Sequence, residues 1–236
     1  MTSSLQPVSI SIVIPAWNED ESIGRVLAAI PWDQIDEVLV IDGGSTDHTV
    51  TIAQSAGARV VVEQRRGYGR ACASGAEQAS GEILVFLDAD GADDPERMAA
   101  LLAPLLAGQA DLVLGSRLAG RIEPGAMPWH QRAGNWLCAG LITAIYGYRL
   151  TDLSPFRAVR KSKLAELKMQ EMTYGWPTEM IVKAVRLGWR LVETPVGYRA
   201  RLGGRSKISG TLKGSLLATF FILKVIARHA WSKNDL

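Results

Sequence analysis

The chain predicts an α/β fold in which a mainly parallel sheet is flanked by helices within a single domain. Two features carry that prediction. Short apolar runs alternate with helical segments through the first half, and the runs are apolar along their whole length, the pattern of strands covered on both faces. The size agrees: 236 residues with 47% hydrophobic and 21% charged residues supply one full core and exclude disorder, collagen and a disulfide scaffold.

The strands are read in order as Val8 to Ile14, Glu37 to Ile41, Ala58 to Val62, Glu82 to Leu87 and Asp111 to Gly115. Helices are expected near Glu21 to Ile30, Thr46 to Ser55, Gly69 to Ala79 and Pro95 to Ala107, with Ser45 to Asp47 capping the second and Asp93 or Asp94 the fourth. The second half adds a helix over Trp129 to Tyr146, a strand over Phe156 to Arg160, a helix over Pro177 to Leu187 and a strand over Arg190 to Arg199. Arg199 to Gly210 is glycine-rich and basic without an apolar period, so it reads as a loop. A last helix, about Thr211 to Trp231, mixes aliphatic and aromatic residues with Lys213, Lys224 and Arg228, and suits either a core or a membrane interface.

Net charge is +2, but the charges are segregated. Up to Gly115 there are 17 acidic and 6 basic residues, a net of −11; after it there are 7 and 20, a net of +13. An acidic half suits a metal, and a basic half suits phosphates or an anionic membrane surface. Cys72 and Cys138 form neither a CxxC nor a Cys/His cluster and read as core thiols; His48, His130 and His229 have no ligand spacing. The segment MTSSLQPVSI lacks the basic and apolar parts of a secretory signal. The uncharged stretch Ala133 to Tyr148 has 16 residues with Asn135 and three glycines, short of the roughly 20 apolar residues that span a bilayer. No spanning helix is expected, and a cytoplasmic address is.

Ligands of open parallel sheets sit at the carboxyl ends of the strands, so the residues after each apolar run are the functional candidates. The sharpest are Asp88 and Asp90 in FLDADGADDPE, directly after the fourth strand. Two carboxylates one residue apart can share a hard divalent cation, Mg²⁺ or Mn²⁺, completed by substrate phosphates and water. Such a metal neutralises charge developing on a leaving nucleoside diphosphate. Rival chemistries lack their motifs: there is no GxGxxG after the first strand, no Walker A sequence and no GxSxG elbow.

Further residues turn these pieces into a resemblance. PAWNE (Pro15 to Glu19), IDGGSTD (Ile41 to Asp47) and the DAD of Asp88 to Asp90 resemble the strand-end motifs of family 2 glycosyltransferases of the GT-A fold. GSR (Gly115 to Arg117), Arg132 in WHQRAGN, TDLSPFRAVRK (Thr151 to Lys161), TEM (Thr178 to Met180) and R-x-x-G-x-S-K (Arg201 to Lys207) resemble the polyprenyl-phosphate mannosyl- and glucosyltransferases within it. The resemblance implies inverting transfer of a hexose from a nucleoside-diphosphate sugar (GDP-mannose or UDP-glucose) to a polyprenyl phosphate, at the inner face of the membrane. Nucleic acid is not an expected partner.

By the same resemblance, Pro15, Trp17, Glu19 and Asp42 contact the base and ribose, Asp88 and Asp90 hold the metal, and Arg117, Arg132, Arg201 and Lys207 bind phosphates. Glu179 is the candidate general base or orients a sugar hydroxyl, and Asp152 has the same two readings. The loop over 199–209 would close on the donor. Residues 1–115 form the nucleotide-binding half, 116–209 the acceptor half, and 210–236 a C-terminal amphipathic helix. Three positions depart from the family pattern: Gly43 where a second acid is common, Ala92 where a Gln is offered to the metal, and Pro155 in place of a glycine. The alternatives are transfer to a soluble or glycolipid hydroxyl, and a nucleotide-sugar-binding module without turnover.

Overall fold

Each apolar run of the first half forms a strand of one sheet in the computed structural model, which describes residues 8–203 and 212–231. Strands β1 (Ile10–Ala16), β2 (Glu37–Asp42), β3 (Arg59–Val62), β4 (Ile83–Phe86) and β5 (Leu112–Ser116) alternate with helices α1 (Ile23–Ala28), α2 (Thr49–Ser55), α3 (Tyr68–Gln78) and α4 (Met98–Leu106). The second half contributes α5 (Trp129–Tyr146), β6 (Arg157–Arg160), α6 (Lys161–Glu166), α7 (Trp176–Arg186), β7 (Leu191–Pro195) and α8 (Leu212–Trp231). The seven strands are ordered β3-β2-β1-β4-β6-β5-β7, and β6 runs antiparallel to both neighbours while the other pairs are parallel. The carboxyl ends of β1, β2, β3 and β4 therefore share one edge, where the charged motifs lie.

Two apolar cores cover the sheet's faces. Val13, Leu39, Ile41 and Phe86 face one, with α3, α5, α7 and α8; Ile12, Ile14, Val40 and Val85 face the other, with α1 and α4. This alternation explains why the strands read as continuous apolar runs: both sets of side chains are buried. Strand β3 is the exception. It is the sheet edge, with Arg59 and Val62 exposed, so it is not covered on both faces as expected.

Several local expectations change for identifiable reasons. Helix α2 starts at Thr49, and Asp47 accepts from the Thr49 amide at 3.0 Å while Ser45 is drawn into the turn below Asp42. Before α4 a 3-10 turn spans Pro95–Arg97, and Asp94 makes no capping bond there. Strand β7 stops at Pro195 rather than Arg199, and Tyr198 instead bridges Asp93 and Ile122. Helix α5 ends where expected, on Gly147 in the left-handed conformation at φ 70°.

Helix α8 is part of this core rather than an appendage to it. Val225 and Ile226 are buried, the Tyr146 hydroxyl donates to the Ile226 carbonyl at 2.9 Å, and α8 packs on α5 and α7. Among the described residues no helix is long and apolar enough to cross a membrane. On the same side of the sheet α3 approaches closely through Gly75, where a Cβ would lie 2.3 Å from Val13 Cγ1 and 3.0 Å from Ile41 Cγ1. Gly75→Ala is expected to destabilise the protein by about 1–3 kcal/mol, because overpacking the β1/β2 face outweighs the better helix propensity of alanine. Urea denaturation reads the difference, and unchanged stability would refute the close approach.

Candidate active site

The end of β1 turns sharply because Asn18 adopts a left-handed conformation at φ 50°. Its amide donates to Ser45 Oγ at 2.8 Å and its Oδ1 accepts from the Thr46 amide at 2.8 Å, tying the end of β1 to the end of β2. The turn puts Trp17 and Glu19 on one side. They line a cavity of about 340 Å³ together with Pro15, Tyr68, Asp88, Asp90, Tyr174 and Arg201. Glu63, Arg65 and Arg66, after β3, close another wall.

Asp88 and Asp90 stand on the floor of this cavity. The Tyr68 hydroxyl donates to Asp88 Oδ1 at 2.9 Å. Asp90 Oδ1 accepts from the Ala92 amide at 2.9 Å, and its Oδ2 faces Arg201 Nη1 at 3.0 Å. Burial and, next, the Asp90 charge push the Asp88 carboxyl up to about 7. This donor set fits a hard divalent cation: both ligands are oxygens, and two added positive charges would relieve the crowding that raises the Asp88 carboxyl. Among the described residues no group of three or more His, Cys, Asp or Glu side chains is placed to hold a metal, so phosphates and water would complete the shell.

Arg201 ties the turn after β1 to the turn after β4. Its guanidinium pairs with Glu19 and with Asp90, and the Leu202 amide donates to the Asp90 carbonyl at 3.1 Å. On the opposite wall the Arg66 guanidinium lies 4.5 Å from the Trp17 ring centroid, so Trp17 presents a planar surface already used by a cation. Gly43 also lines the cavity, and a Cβ there would meet only ordinary contacts at 3.6 Å or more, so packing does not demand glycine at this position.

The remaining sequence-derived residues divide. Asp42 is buried, and its carboxylate accepts from the Gly44 and Ser45 amides at 3.0–3.2 Å; it shapes the turn and is not among the cavity-lining side chains. Arg117 is 7% exposed and bidentate on Asp152, with Nε and Nη2 at 2.8 and 2.6 Å, so its charge is already neutralised. Asp152 is fully buried in that pair and does not face a substrate. Glu179, the candidate for a base or for an orienter of a sugar hydroxyl, is also fully buried: it pairs with Lys183 at 2.9 Å and accepts from the Gln170 and Glu171 amides. Burial would raise its pKa, yet the contacts with His229, the Glu171 amide and Lys183 hold it down at about 2, which removes it as a proton acceptor near neutral pH. Arg132 is exposed in a separate groove, and Lys207 lies outside the described residues.

Sequence reasoning missed Tyr68, Arg65 and Arg66. The available signal was RRGYG, two glycines around a tyrosine at the start of a helix, which is excluded as a dinucleotide motif but still needs a reason. That reason is a close approach to the 171–173 segment, where a Cβ on Gly69 would lie 2.5 Å from the Glu171 carbonyl oxygen. Asp93, read from the sequence as a possible helix cap, caps nothing: both of its carboxylate oxygens are buried without a hydrogen-bond partner among the described residues, and burial, then Asp88 and Asp90, raises its pKa well above the usual range.

Because its folded-state pKa is raised, Asp88 contributes stability that is complete below the ordinary carboxylate range and lost as pH rises through about 7. A bound divalent cation reverses this cost. Mn²⁺ is therefore expected to raise the melting temperature more at pH 8 than at pH 5.5, and to bind more weakly as pH falls below 7. Thermal melts with and without Mn²⁺ test this; an equal shift at both pH values would refute it.

The comparisons with known proteins agree with this geometry. The model of the glycosyl transferase family 2 matches residues 11–168. An uncharacterized glycosyltransferase of Mycobacterium tuberculosis is 40% identical over 93% of this chain and 98% of its own length. The undecaprenyl-phosphate mannosyltransferase of Micrococcus luteus is 33% identical over 86% and 88%. Glucosyl-3-phosphoglycerate synthase of M. tuberculosis, solved with Mn²⁺, UDP-glucose and phosphoglyceric acid, superposes with a TM-score of 0.75 at 27% identity, over 94% of this chain and 80% of that one. The same enzyme has also been solved with Mg²⁺ and UDP. The strand order, the carboxylates at the strand ends and these likenesses together make the chain a GT-A glycosyltransferase of family 2.

Proposed function

We propose that the protein catalyses metal-dependent, inverting transfer of a hexose from a nucleoside-diphosphate sugar to a polyprenyl phosphate at a membrane surface. The observation that carries this reading is the state of the two carboxylates, Asp152 and Glu179, that the resemblance offers either as a base or as an orienter of a sugar hydroxyl. A hydroxyl acceptor must give its proton to a positioned base, yet Asp152 is held by Arg117 and Glu179 by Lys183. A phosphate acceptor brings an anionic oxygen and needs no such base.

The surface of α5 supports the same acceptor. Trp129 and Trp136 are 76% and 74% exposed, seven residues apart on one helical face, and Arg132 lies between them in a groove of about 770 Å³. Leu216, Leu217 and Phe220 of α8, the helix packed on α5, are exposed as well. Exposed aromatic and aliphatic groups of this extent, with cations beside them, suit a bilayer interface. Arg132 would meet the acceptor phosphate while the tryptophans sit at headgroup level. The undecaprenyl-phosphate acceptor named for the Micrococcus relative is of this class.

In this reading residues 1–115 hold the donor and 116–209 the acceptor. Trp17, Pro15 and Glu19 border the nucleoside, and Asp88 and Asp90 hold Mg²⁺ or Mn²⁺. When bound, the metal supplies a Lewis acid for the leaving nucleoside diphosphate. Arg201 exchanges Glu19 and Asp90 for the donor's phosphates, and Arg132 adds charge on the acceptor side. The phosphate oxygen attacks the anomeric carbon opposite the departing diphosphate, which inverts the configuration.

Two outcomes are expected. With GDP-mannose, UDP-glucose and UDP-GlcNAc offered against a short polyprenyl phosphate or phosphoglyceric acid, product forms on the polyprenyl phosphate, and Asp90→Asn lowers turnover at least about 10²-fold. Product on phosphoglyceric acid alone would replace the lipid reading with the hydroxyl one. The protein should also float with anionic liposomes at low salt, less at high salt, and less again as Trp129→Ala/Trp136→Ala, variants that leave the core untouched. Absence of flotation at low salt would remove the membrane surface from the proposal.

A further inference from the structure

The proposed site leaves the brace around Tyr68 unexplained. Glu179 and Lys183 form an ion pair in the interior, and Glu179 also fixes the amides of Gln170 and Glu171 at 3.0 and 2.7 Å. Glu171 in turn accepts from the Thr173 amide at 3.0 Å and from its hydroxyl at 2.5 Å. The segment so organised clamps the start of α3, where the Gly69 amide donates to the Thr173 carbonyl at 3.2 Å and the Arg70 amide to the Met172 carbonyl at 3.1 Å. Gly67, at φ 142°, and Gly69 allow the approach: Cβ atoms there would lie 2.3 Å from the Met172 carbonyl oxygen and 2.5 Å from that of Glu171. Tyr68 stands between the two glycines, and its hydroxyl reaches Asp88 at 2.9 Å.

We infer that Tyr68 is a positioning residue for Asp88, held in register by the Glu179-braced 170–173 segment. The inference rests on the reading of Asp88 as a metal ligand. Tyr68 donates to Oδ1 of Asp88, a residue that lines the cavity, and so fixes the rotation of its carboxylate. Partners that orient a ligating carboxylate through its second oxygen tune metal affinity without touching the metal. Glu179, inert as a base, thereby acts on the donor site from a distance: the brace sets α3, α3 sets Tyr68, and Tyr68 sets Asp88.

The test is Mn²⁺ binding to the full chain, followed by the EPR signal of the free ion, for the wild type, Tyr68→Phe, Asp88→Asn and the double variant. Tyr68→Phe removes one oxygen and keeps the ring, so the melting temperature should stay close to that of the wild type. Its Mn²⁺ dissociation constant should rise roughly 10- to 100-fold. In turnover, the Mn²⁺ concentration for half-maximal rate should rise by a similar factor. In the Asp88→Asn background the Tyr68→Phe change should have no further effect, since its partner is gone. Wild-type affinity in Tyr68→Phe, or an equal loss in both backgrounds, overturns the positioning role. Unchanged affinity in Asp88→Asn instead overturns the reading of Asp88 as a ligand, a result that is distinguishable from the first.

Discussion

The constraint on which the site depends is the crowding of carboxylates at the end of β4. Asp88, Asp90 and Asp93 follow one strand within six residues, and Glu19 reaches the same cavity from β1. Like charges this close cannot all stay ionised in a partly buried site without compensation. The protein supplies the compensation from its other half: Arg201 pairs with Glu19 and Asp90, and Arg199 with Asp94. Part of the opposite charge of the two halves of the sequence meets at these pairs. What these pairs leave over, the raised Asp88 carboxyl, is the feature a divalent cation would satisfy.

A second consequence of burial is that two carboxylates with a catalytic appearance in sequence are structural. Asp152 is surrounded by donors, with the Arg117 guanidinium and amide on its oxygens, while Glu193 fixes the Asp152 and Thr151 amides. Removing one member of such a pair strands the other charge, so their value to the fold is the geometry they impose. Arg157 adds to this layer. It is fully buried, and its guanidinium donates to the carbonyls of Leu153, Ser154 and Pro177, fixing the loop before β6 to the start of α7. These buried charges tie the segment before β6 to β5, β7 and α7, while the tryptophans of α5 remain exposed.

Periodicity and punctuation determined the fold almost completely. Four of the five apolar runs are strands covered on both faces, as their composition implied, and the DAD and PAWNE segments fall at strand ends because the runs stop there. The edge position of β3 was not legible, since ARVVV reads the same at an edge as inside a sheet and neighbours decide its exposure. The site was legible where residues are local in sequence, as with Asp88, Asp90, Trp17 and Glu19. It was not legible where function depends on which partner arrives from far along the chain. Glu179 resembled a base until Lys183 and the 170–173 amides closed around it, and Arg117 resembled a free phosphate grip until Asp152 did the same. The contact of Tyr68 with Asp88 was equally hidden, because the two glycines beside Tyr68 pack against a segment about a hundred residues away. A sequence specifies which side chains can ionise or donate; burial and through-space pairing, set only by the tertiary structure, decide which of them remain available for chemistry.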